Sequence, residues 1–279
     1  MNTVVAAAQC RASAEPEENI LKAERFCREG YDKNVQFLIF PEYFMTYYPT
    51  DRAEYFKKAQ SLDGRFVKEM KILARKYGQW ILFGMNEKPK RKSGGRCYNT
   101  AVLMDDQGTV RSVYRKAHLF DAFSWQESKD TLPGNALHEP VDTPFGRIGL
   151  GICYDLRFPE PARIQALKGA EMLVYPSAWV DGPDKFMQWE TLLRARAIEN
   201  GVFVIGCCHY SEEHYMGRSL AFDPSGRKLA EGGSGEELIV LTTDTDKAAQ
   251  AKKQVPSVKN RRTDLYEISP AVGDKTKDV

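Results

Sequence analysis

The sequence predicts an α/β layered fold, in which helices cover both faces of buried sheets. Short continuous apolar runs recur along the chain without the polar alternation of half-exposed strands, which is typical of strands buried on both faces. These runs are Val4–Ala8, Phe37–Phe40, Trp80–Gly84, Ile148–Ile152, Met172–Tyr175, Val202–Gly206 and Leu238–Leu241. Amphipathic stretches lie between them and predict helices at about 16–32, 64–77, 159–169 and 185–199. Helices on both faces of a buried sheet make a layered α/β domain.

A weak internal repeat indicates two similar halves. A predicted helix leads into the strand Trp80–Gly84, and a loop and then a hairpin around Asp105–Gly108 follow. The same order recurs later, with the strand Val202–Gly206 and a hairpin around Asp223–Gly226. Asp-x-x-Gly is reasonable turn chemistry for each hairpin. The repeat favours two sheets packed in one domain, and chance recurrence of a common turn motif is the alternative.

The composition of the 279 residues is that of a globular chain, with 42% apolar residues. Its 40 basic and 38 acidic side chains give a net charge of +2, so neither nucleic acid nor a membrane is expected as a partner. No apolar run approaches the roughly 18 residues of a membrane span, and the N-terminus lacks a signal-peptide pattern. We therefore expect a cytoplasmic protein, with one domain over residues 1–270 and a charged tail at 271–279.

The first segment that carries chemistry is Phe37–Phe44, where an apolar strand ends in Pro41-Glu42. Glu42 comes out of the strand beside aromatic residues, and a carboxylate in such a place suits a general base. A strand-end acid paired with an arginine is an equal alternative.

The second segment is Val113–Phe120, which contains Lys116 and His118. Strand alternation directs Tyr114 and Lys116 to one side and Arg115 to the other. A lysine directed inward stabilises a developing negative charge, whereas a solvated lysine at the sheet edge is the alternative. We expect His118 to make structural hydrogen bonds and leave it out of the catalytic set.

The third segment places one of the six cysteines at the end of a strand. The glycine-punctuated strand Arg147–Ile152 runs directly into Cys153, and a helix begins near Pro159. A cysteine at a strand-to-helix turn forms a nucleophile elbow, in which the backbone N–H of Tyr154 is free to donate to an oxyanion. The alternative is a buried core cysteine. No cysteine pair or Cys/His spacing predicts a metal site.

In this order and with these flanks, the segments resemble the nitrilase (carbon–nitrogen hydrolase) superfamily. The matching segments are Pro41-Glu42, Tyr114–Phe120, Gly151–Glu160, Leu192–Asn200 and Asp264–Tyr266, within roughly residues 3–268. The resemblance implies an αββα four-layer sandwich and a Glu–Lys–Cys triad that needs no metal or other cofactor. It implies Glu42 as the general base, Lys116 as the oxyanion stabiliser and Cys153 as the nucleophile.

A second glutamate is implied by the run Phe123–Ser128, which resembles the Phe-Gln-Glu-Ser run of Nit-type omega-amidases. This resemblance assigns Glu127 to the catalytic set, and an exposed loop acid is the alternative.

The residues after Cys153 resemble omega-amidases and the related deaminated-glutathione amidases. True nitrilases usually have Trp-Glu after the cysteine, which is absent here. The resemblance implies hydrolysis of a small linear amide, such as an omega-amide of a carboxylic or keto acid, to an acid and ammonia through a thioester. Nitrile or N-carbamoyl hydrolysis on the same triad is the second hypothesis, and a non-catalytic binding member is the third.

Three residues are expected to contact the substrate: Arg157, Tyr48 and Trp179. Arg157 either clamps a substrate carboxylate through two N–H groups or forms a structural ion pair with Asp155 or Glu160. Many relatives have His-Trp where this chain has Gln188-Trp189, which flanks the expected pocket. Family members commonly associate through helices, so a homodimer or larger assembly is expected through the stretches 158–168 and 186–200.

Overall fold

A computed structural model describes residues 2–47, 52–123 and 125–266 of the chain, and the predicted tail at 271–279 lies outside them. The helices of these residues are α1 (Pro16–Asp32), α2 (Arg52–Lys58), α3 (Arg65–Tyr77), α4 (Pro159–Leu167), α5 (Lys185–Asn200) and α6 (Thr245–Gln254). The strands are β1 (Asn2–Gln9), β2 (Phe37–Ile39), β3 (Trp80–Glu87), β4 (Cys97–Met104), β5 (Val110–Arg115), β6 (Asp121–Ala122), β7 (Trp125–Gln126), β8 (Thr131–Leu132), β9 (Val141–Thr143), β10 (Gly146–Leu150), β11 (Met172–Ser177), β12 (Phe203–Cys208), β13 (Leu220–Phe222), β14 (Lys228–Glu231) and β15 (Glu237–Asp244).

The predicted strands and helices are all present, and only their ends differ by a few residues. Helix α1 begins at Pro16, whose fixed φ and missing N–H suit the first helical position. Helices α3 and α5 end at Gly78 and Gly201, each with a φ of 62° that favours glycine. Within the described ranges, every helix is too short or too polar to span a bilayer.

The strands form two main sheets. The first has the order β15-β1-β2-β3-β4-β5, and the second has the order β14-β13-β12-β11-β10-β9. Strands β1, β2 and β3 are parallel in the first sheet, as are β10, β11 and β12 in the second. The carboxyl ends of parallel strands meet at one edge of a sheet, so this arrangement brings the segments after β2, β10 and β11 to the edges where sites form.

Three apolar cores hold four layers together, as the αββα prediction requires. One core lies between α1, α3 and the first sheet, one between the two sheets, and one between the second sheet and α4 and α5. Representative residues of the three cores are, in turn, Phe26, Met70 and Phe83; Ile39, Leu103 and Val174; and Leu173, Trp189 and Leu193. The four-layer sandwich is thus confirmed.

The internal repeat is visible in the two hairpin turns. Asp105 accepts hydrogen bonds from the backbone N–H groups two and four residues later, at 3.0 and 2.7 Å. Asp223 does the same, at 2.9 and 3.0 Å. Gly108 and Gly226 close the turns with φ of 69° and 81°, a region that favours glycine. The two halves therefore use the same turn, one in each sheet.

Candidate active site

A cavity of about 520 Å³ takes in all four residues that the sequence assigned to catalysis. Glu42, Lys116, Glu127 and Cys153 line it together. The first three come from the side of the first sheet, and Cys153 follows β10 of the second sheet. The cavity therefore lies where the two halves of the sandwich meet.

Cys153 occupies a strained turn between a strand and a helix. It follows β10 by three residues and begins a short 3₁₀ helix that runs to Arg157. Its φ is 45°, in the left-handed region that non-glycine residues rarely adopt, which costs about 1–3 kcal/mol. Such a turn presents the side chain at the top of the sheet, as in a nucleophile elbow. Tyr154 is the second residue of the 3₁₀ helix, so its N–H has no acceptor within that helix.

The buried carboxylate of Asp155 holds the turn at Cys153 through hydrogen bonds. Its Oδ2 accepts hydrogen bonds from the backbone N–H of Ile152 at 2.9 Å and from the Tyr114 hydroxyl at 2.8 Å. Its Oδ1 lies 2.7 Å from Nδ1 of His118. His118 thus makes a structural hydrogen bond, as predicted, and the carboxylate that orients it also holds the cysteine turn.

Glu42 is held in a turn against the backbone of β3. Tyr43 has a φ of 53°, and the backbone of Gly84 packs directly against this turn. A Cβ at Gly84 would lie 2.7 Å from Cα of Glu42 and 2.5 Å from N of Tyr43. Only glycine leaves room for so close an approach of two backbones.

Both carboxylate oxygens of Glu42 accept hydrogen bonds in a buried setting. Oε1 accepts from Nζ of Lys116 at 3.0 Å and from Nδ2 of Asn99 at 2.6 Å. Oε2 accepts from the backbone N–H of Ala178 at 2.6 Å. The side chain is 1% exposed, so these bonds replace water and fix the carboxylate beside the cavity.

Lys116 lies between two carboxylates. Its ammonium is 3.0 Å from Oε1 of Glu42 and 2.9 Å from Oε2 of Glu127. Burial opposes its positive charge, but Glu127 and Glu42 outweigh burial and raise the pKa of Lys116 well above its usual value. The lysine is therefore a fixed cation at neutral pH, suited to hold an oxyanion.

Glu127 is buried, so the alternative of an exposed loop acid is wrong. It accepts hydrogen bonds from the Tyr43 hydroxyl and the Phe120 N–H, each at 2.7 Å. Burial alone would raise the pKa of Glu127, but the charge of Lys116 and these donors lower it. Glu127 thus stays ionised and holds the lysine in place.

The thiol of Cys153 has a pKa well above its usual value. Burial and the negative charge of Glu42 raise that pKa, and Lys116 opposes them. A thiol in this setting is protonated at neutral pH, so nucleophilic attack requires a base close by.

The predicted substrate contacts lie on the wall of the same cavity, except that Tyr48 falls outside the described residues. Arg157 donates to Oε1 of Gln188 at 2.8 Å, and its guanidinium carbon is 4.7 Å from the centre of the Trp179 ring. The alternative of a structural ion pair is wrong, because Arg157 pairs with neither acid: the carboxylate of Asp155 contacts Tyr114, Ile152 and His118, and Glu160 lies exposed on α4.

Two groups that hold Glu42 in place were not predicted from the sequence. Asn99 lies on β4 and donates to Glu42 and also to Oε1 of Glu127, at 3.2 Å. An asparagine inside a buried apolar strand was the available signal. The N–H of Ala178 is the second group, and a backbone amide leaves no signal in a sequence. Among the described residues, no group of three His, Cys, Asp or Glu side chains is placed to hold a metal ion.

Comparison with known proteins gives one consistent result. Residues 4–253 match the model of the carbon-nitrogen hydrolase family. The chain is 35% identical to the deaminated glutathione amidase of Bos taurus, over 94% of this chain and 83% of that protein. It is 33% identical to the omega-amidase NIT2 of Homo sapiens, over 93% and 95%. The structure of Saccharomyces cerevisiae Nit3, of branch 10 of the nitrilase superfamily, matches with a TM-score of 0.83 and 30% identity, over 94% of this chain and 97% of that one.

Proposed function

The chain belongs to the carbon–nitrogen hydrolase family of the nitrilase superfamily, and on that premise we propose that Cys153, Glu42 and Lys116 are its catalytic residues and that Glu127 positions Lys116. It is an amidase that hydrolyses a small linear amide to a carboxylic acid and ammonia. The observation that carries the residue assignment is the thiol of Cys153 in one cavity with a buried carboxylate–ammonium–carboxylate cluster.

In the first half of the reaction, Glu42 takes the thiol proton while the sulfur of Cys153 attacks the amide carbonyl. Negative charge then develops on the carbonyl oxygen. The ammonium of Lys116 and the N–H of Tyr154 stabilise that charge. Glu42 returns the proton to the departing ammonia, and a thioester on Cys153 remains.

In the second half, Glu42 takes a proton from a water molecule, which attacks the thioester carbonyl. The tetrahedral intermediate uses the same oxyanion donors, Lys116 and Tyr154. Collapse expels the thiolate, which regains its proton from Glu42, and the carboxylic acid leaves. Glu127 touches no bond that changes and acts by keeping Lys116 charged and in place.

We propose an omega-amide of a carboxylic or keto acid as the substrate. Relatives with about one third identity are named as an omega-amidase and as an amidase of deaminated glutathione. Arg157 supports this choice, because its guanidinium faces the cavity without a carboxylate partner in the described part of the chain. A guanidinium binds a carboxylate through paired N–H donors.

A substrate panel tests the reaction type. Ammonia release is measured with linear amides, nitriles and N-carbamoyl compounds, and mass spectrometry looks for an acyl adduct on Cys153. We expect turnover of amides and an adduct with the mass of the acyl group. Release of ammonia from nitriles or N-carbamoyl compounds alone would overturn the amidase assignment, and absence of both turnover and thiol alkylation would favour a binding protein.

The role of Arg157 is tested by Arg157→Lys, which keeps the charge but loses the fork geometry. KM for carboxylate-bearing amides should rise far more than KM for neutral amides, by an amount equivalent to about 1–3 kcal/mol. Equal losses for both kinds of amide would mean that Arg157 only supports the turn after Cys153.

We also propose a homodimer or larger assembly through α4 and α5. Leu167, Met187 and Ile198 are large apolar side chains on these helices that are 42–54% exposed. Apolar groups exposed on neighbouring helices are typical of an association surface. Light scattering at micromolar concentration tests this proposal, and a monomer would contradict it.

A further inference from the structure

Two cations line the same wall of the cavity, and only one of them was expected. Arg157 lies four residues after Cys153, and Lys185 is the first residue of α5. Trp179 connects them, because its ring lies 4.7 Å from the guanidinium carbon of Arg157 and its Nε1 donates to the carbonyl oxygen of Lys185 at 3.1 Å. Both cations are half-buried, so water only partly screens them.

In the described part of the chain, neither cation is paired with a carboxylate. Arg157 contacts the neutral side chains of Gln188 and Trp179, and the ammonium of Lys185 is 4.6 Å from the centre of the Phe123 ring. Asp181 also lines the cavity, and its carboxylate accepts a hydrogen bond from the N–H of Gly182 at 2.8 Å but forms no ion pair with Arg157 or Lys185. The cavity wall therefore carries positive charge that no neighbour neutralises at close range.

Two cations on or near α5, Arg194 and Lys228, do not line the cavity and are paired with carboxylates. Arg194 on α5 pairs with Glu190 at 2.6 Å. Lys228, on the neighbouring strand β14, pairs with Glu190 at 3.1 Å and with Glu231 at 2.5 Å. Among the described residues, Arg157 and Lys185 have no such partner, whereas Lys116, which also lines the cavity, is paired with Glu42 and Glu127. This contrast points to an anion that arrives from outside the protein.

The pKa of Lys185 is consistent with binding of an external anion. Burial lowers the pKa of Lys185, and the positive charge of Arg157 lowers it further. Two like charges in a partly desolvated wall repel each other, and a bound anion between them would relieve the repulsion.

We infer that Lys185 and Arg157 form one anion subsite that holds the carboxylate end of the amide substrate. This inference rests on the proposed function and deepens it, because it adds Lys185 as a second residue that determines specificity. Arg157 supplies a planar fork, and Lys185 supplies a mobile point charge to the same carboxylate. The substrate class that fits is a linear mono-amide of a dicarboxylic acid, with the amide at Cys153 and the carboxylate at the two cations.

The experiment compares the wild-type protein with Lys185→Met, Arg157→Met and the double variant. The probes are succinamic and glutaramic acids, with butyramide and valeramide as neutral amides of matching length. Lys185→Met should raise KM for the two acids by roughly 10-fold or more, because a charged hydrogen bond is lost, and should leave KM for the neutral amides within about twofold. Lys228→Met is the matched control, since it removes one lysine from near α5 that already has carboxylate partners.

The double variant tests whether both cations hold the same group. If they do, the loss in the double variant should differ from the product of the two single losses by at least about threefold. Independent losses, equal losses for acids and neutral amides, or an effect no larger than that of Lys228→Met would overturn the inference while leaving the amidase assignment intact. Failure of the wild-type protein to turn over either acid, with turnover of the neutral amides, would overturn the omega-amide proposal and this inference together.

Discussion

The floor and the mouth of the cavity are built in opposite ways. The floor comprises Glu42, Lys116 and Glu127, each at most 3% exposed, and each makes at least two hydrogen bonds or ion pairs to other buried groups. The mouth comprises Phe123, Trp125, Val180 and Lys185, and its apolar members are 42–87% exposed.

This difference suggests separate roles: the floor carries out the catalytic steps, and the mouth determines which substrates bind. Buried groups whose hydrogen bonds are all made have one arrangement, so a change in the floor leaves a charge unpaired or moves the base. Exposed side chains have several arrangements of similar energy, so a change in the mouth alters which substrates bind. We therefore expect large losses of kcat from changes in the floor and losses confined to KM from changes in the mouth.

The largest effect is expected from Cys153→Ala. Turnover should fall below about a hundredth of the wild-type value, because among the described residues that line the cavity Cys153 is the only cysteine, serine or threonine. The fold should persist, since one small side chain replaces another. Steady-state ammonia release and the circular dichroism spectrum check both points. Cys208→Ala is the matched control, because Cys208 is a buried cysteine on β12 and should keep turnover within a few-fold.

The next effect is expected from Glu127→Gln, which leaves the Lys116 ammonium with one carboxylate partner instead of two. An oxyanion donor that is displaced or less charged should cost about 10²–10³-fold in kcat. Glu236→Gln is the control, because Glu236 pairs with Lys22 and Arg25 away from the cavity. A kcat within threefold of wild type for Glu127→Gln would contradict the view that every group of the floor is required.

A smaller effect is expected from Gly84→Ala, which acts on the floor through the backbone alone. The new Cβ must displace the turn that carries Glu42, and a shift of about 1 Å in a catalytic group costs on the order of 10²-fold in rate. Gly30→Ala also crowds a neighbour, but that neighbour is the side-chain amide of Gln79, away from the cavity. kcat should fall only in Gly84→Ala, and equal kcat in the two variants would show that the turn adapts.

The smallest effect concerns pH. Burial lowers the pKa of His138 and of His209 to about 4, and the backbone carbonyl of Glu42 accepts a hydrogen bond from His209. Both histidines are neutral in the folded protein at neutral pH, whereas unfolded histidine has a pKa of about 6.5. The unfolded state therefore binds more protons as pH falls, and the stability present above pH 6.5 is lost progressively towards pH 4.

At pH 5, each histidine should lower the free energy of unfolding by about 2 kcal/mol relative to pH 7. Urea unfolding at the two pH values measures this change. His138→Gln should reduce the difference between the two pH values by roughly that amount. An unchanged difference would mean that other groups cause the sensitivity to acid.

The sequence by itself determined the fold class, the positions of the main strands and helices along the chain, and the side chains that we propose for catalysis. It could do so because each of those side chains directly follows a strand or sits in a local motif, such as Pro41-Glu42 or the glycine-punctuated run before Cys153. It also indicated the repeat through two Asp-x-x-Gly turns, which the structure shows to share their hydrogen bonds.

The tertiary structure alone decided how those side chains are held. The amide of Asn99 reaches Glu42 across 57 positions, and the N–H of Ala178 reaches it across 136. Such contacts depend on the register between strands and on how the two sheets pack, which no local pattern specifies. The same holds for Arg157, whose carboxylate neighbours in sequence face elsewhere in the fold, so that its charge is left for the cavity.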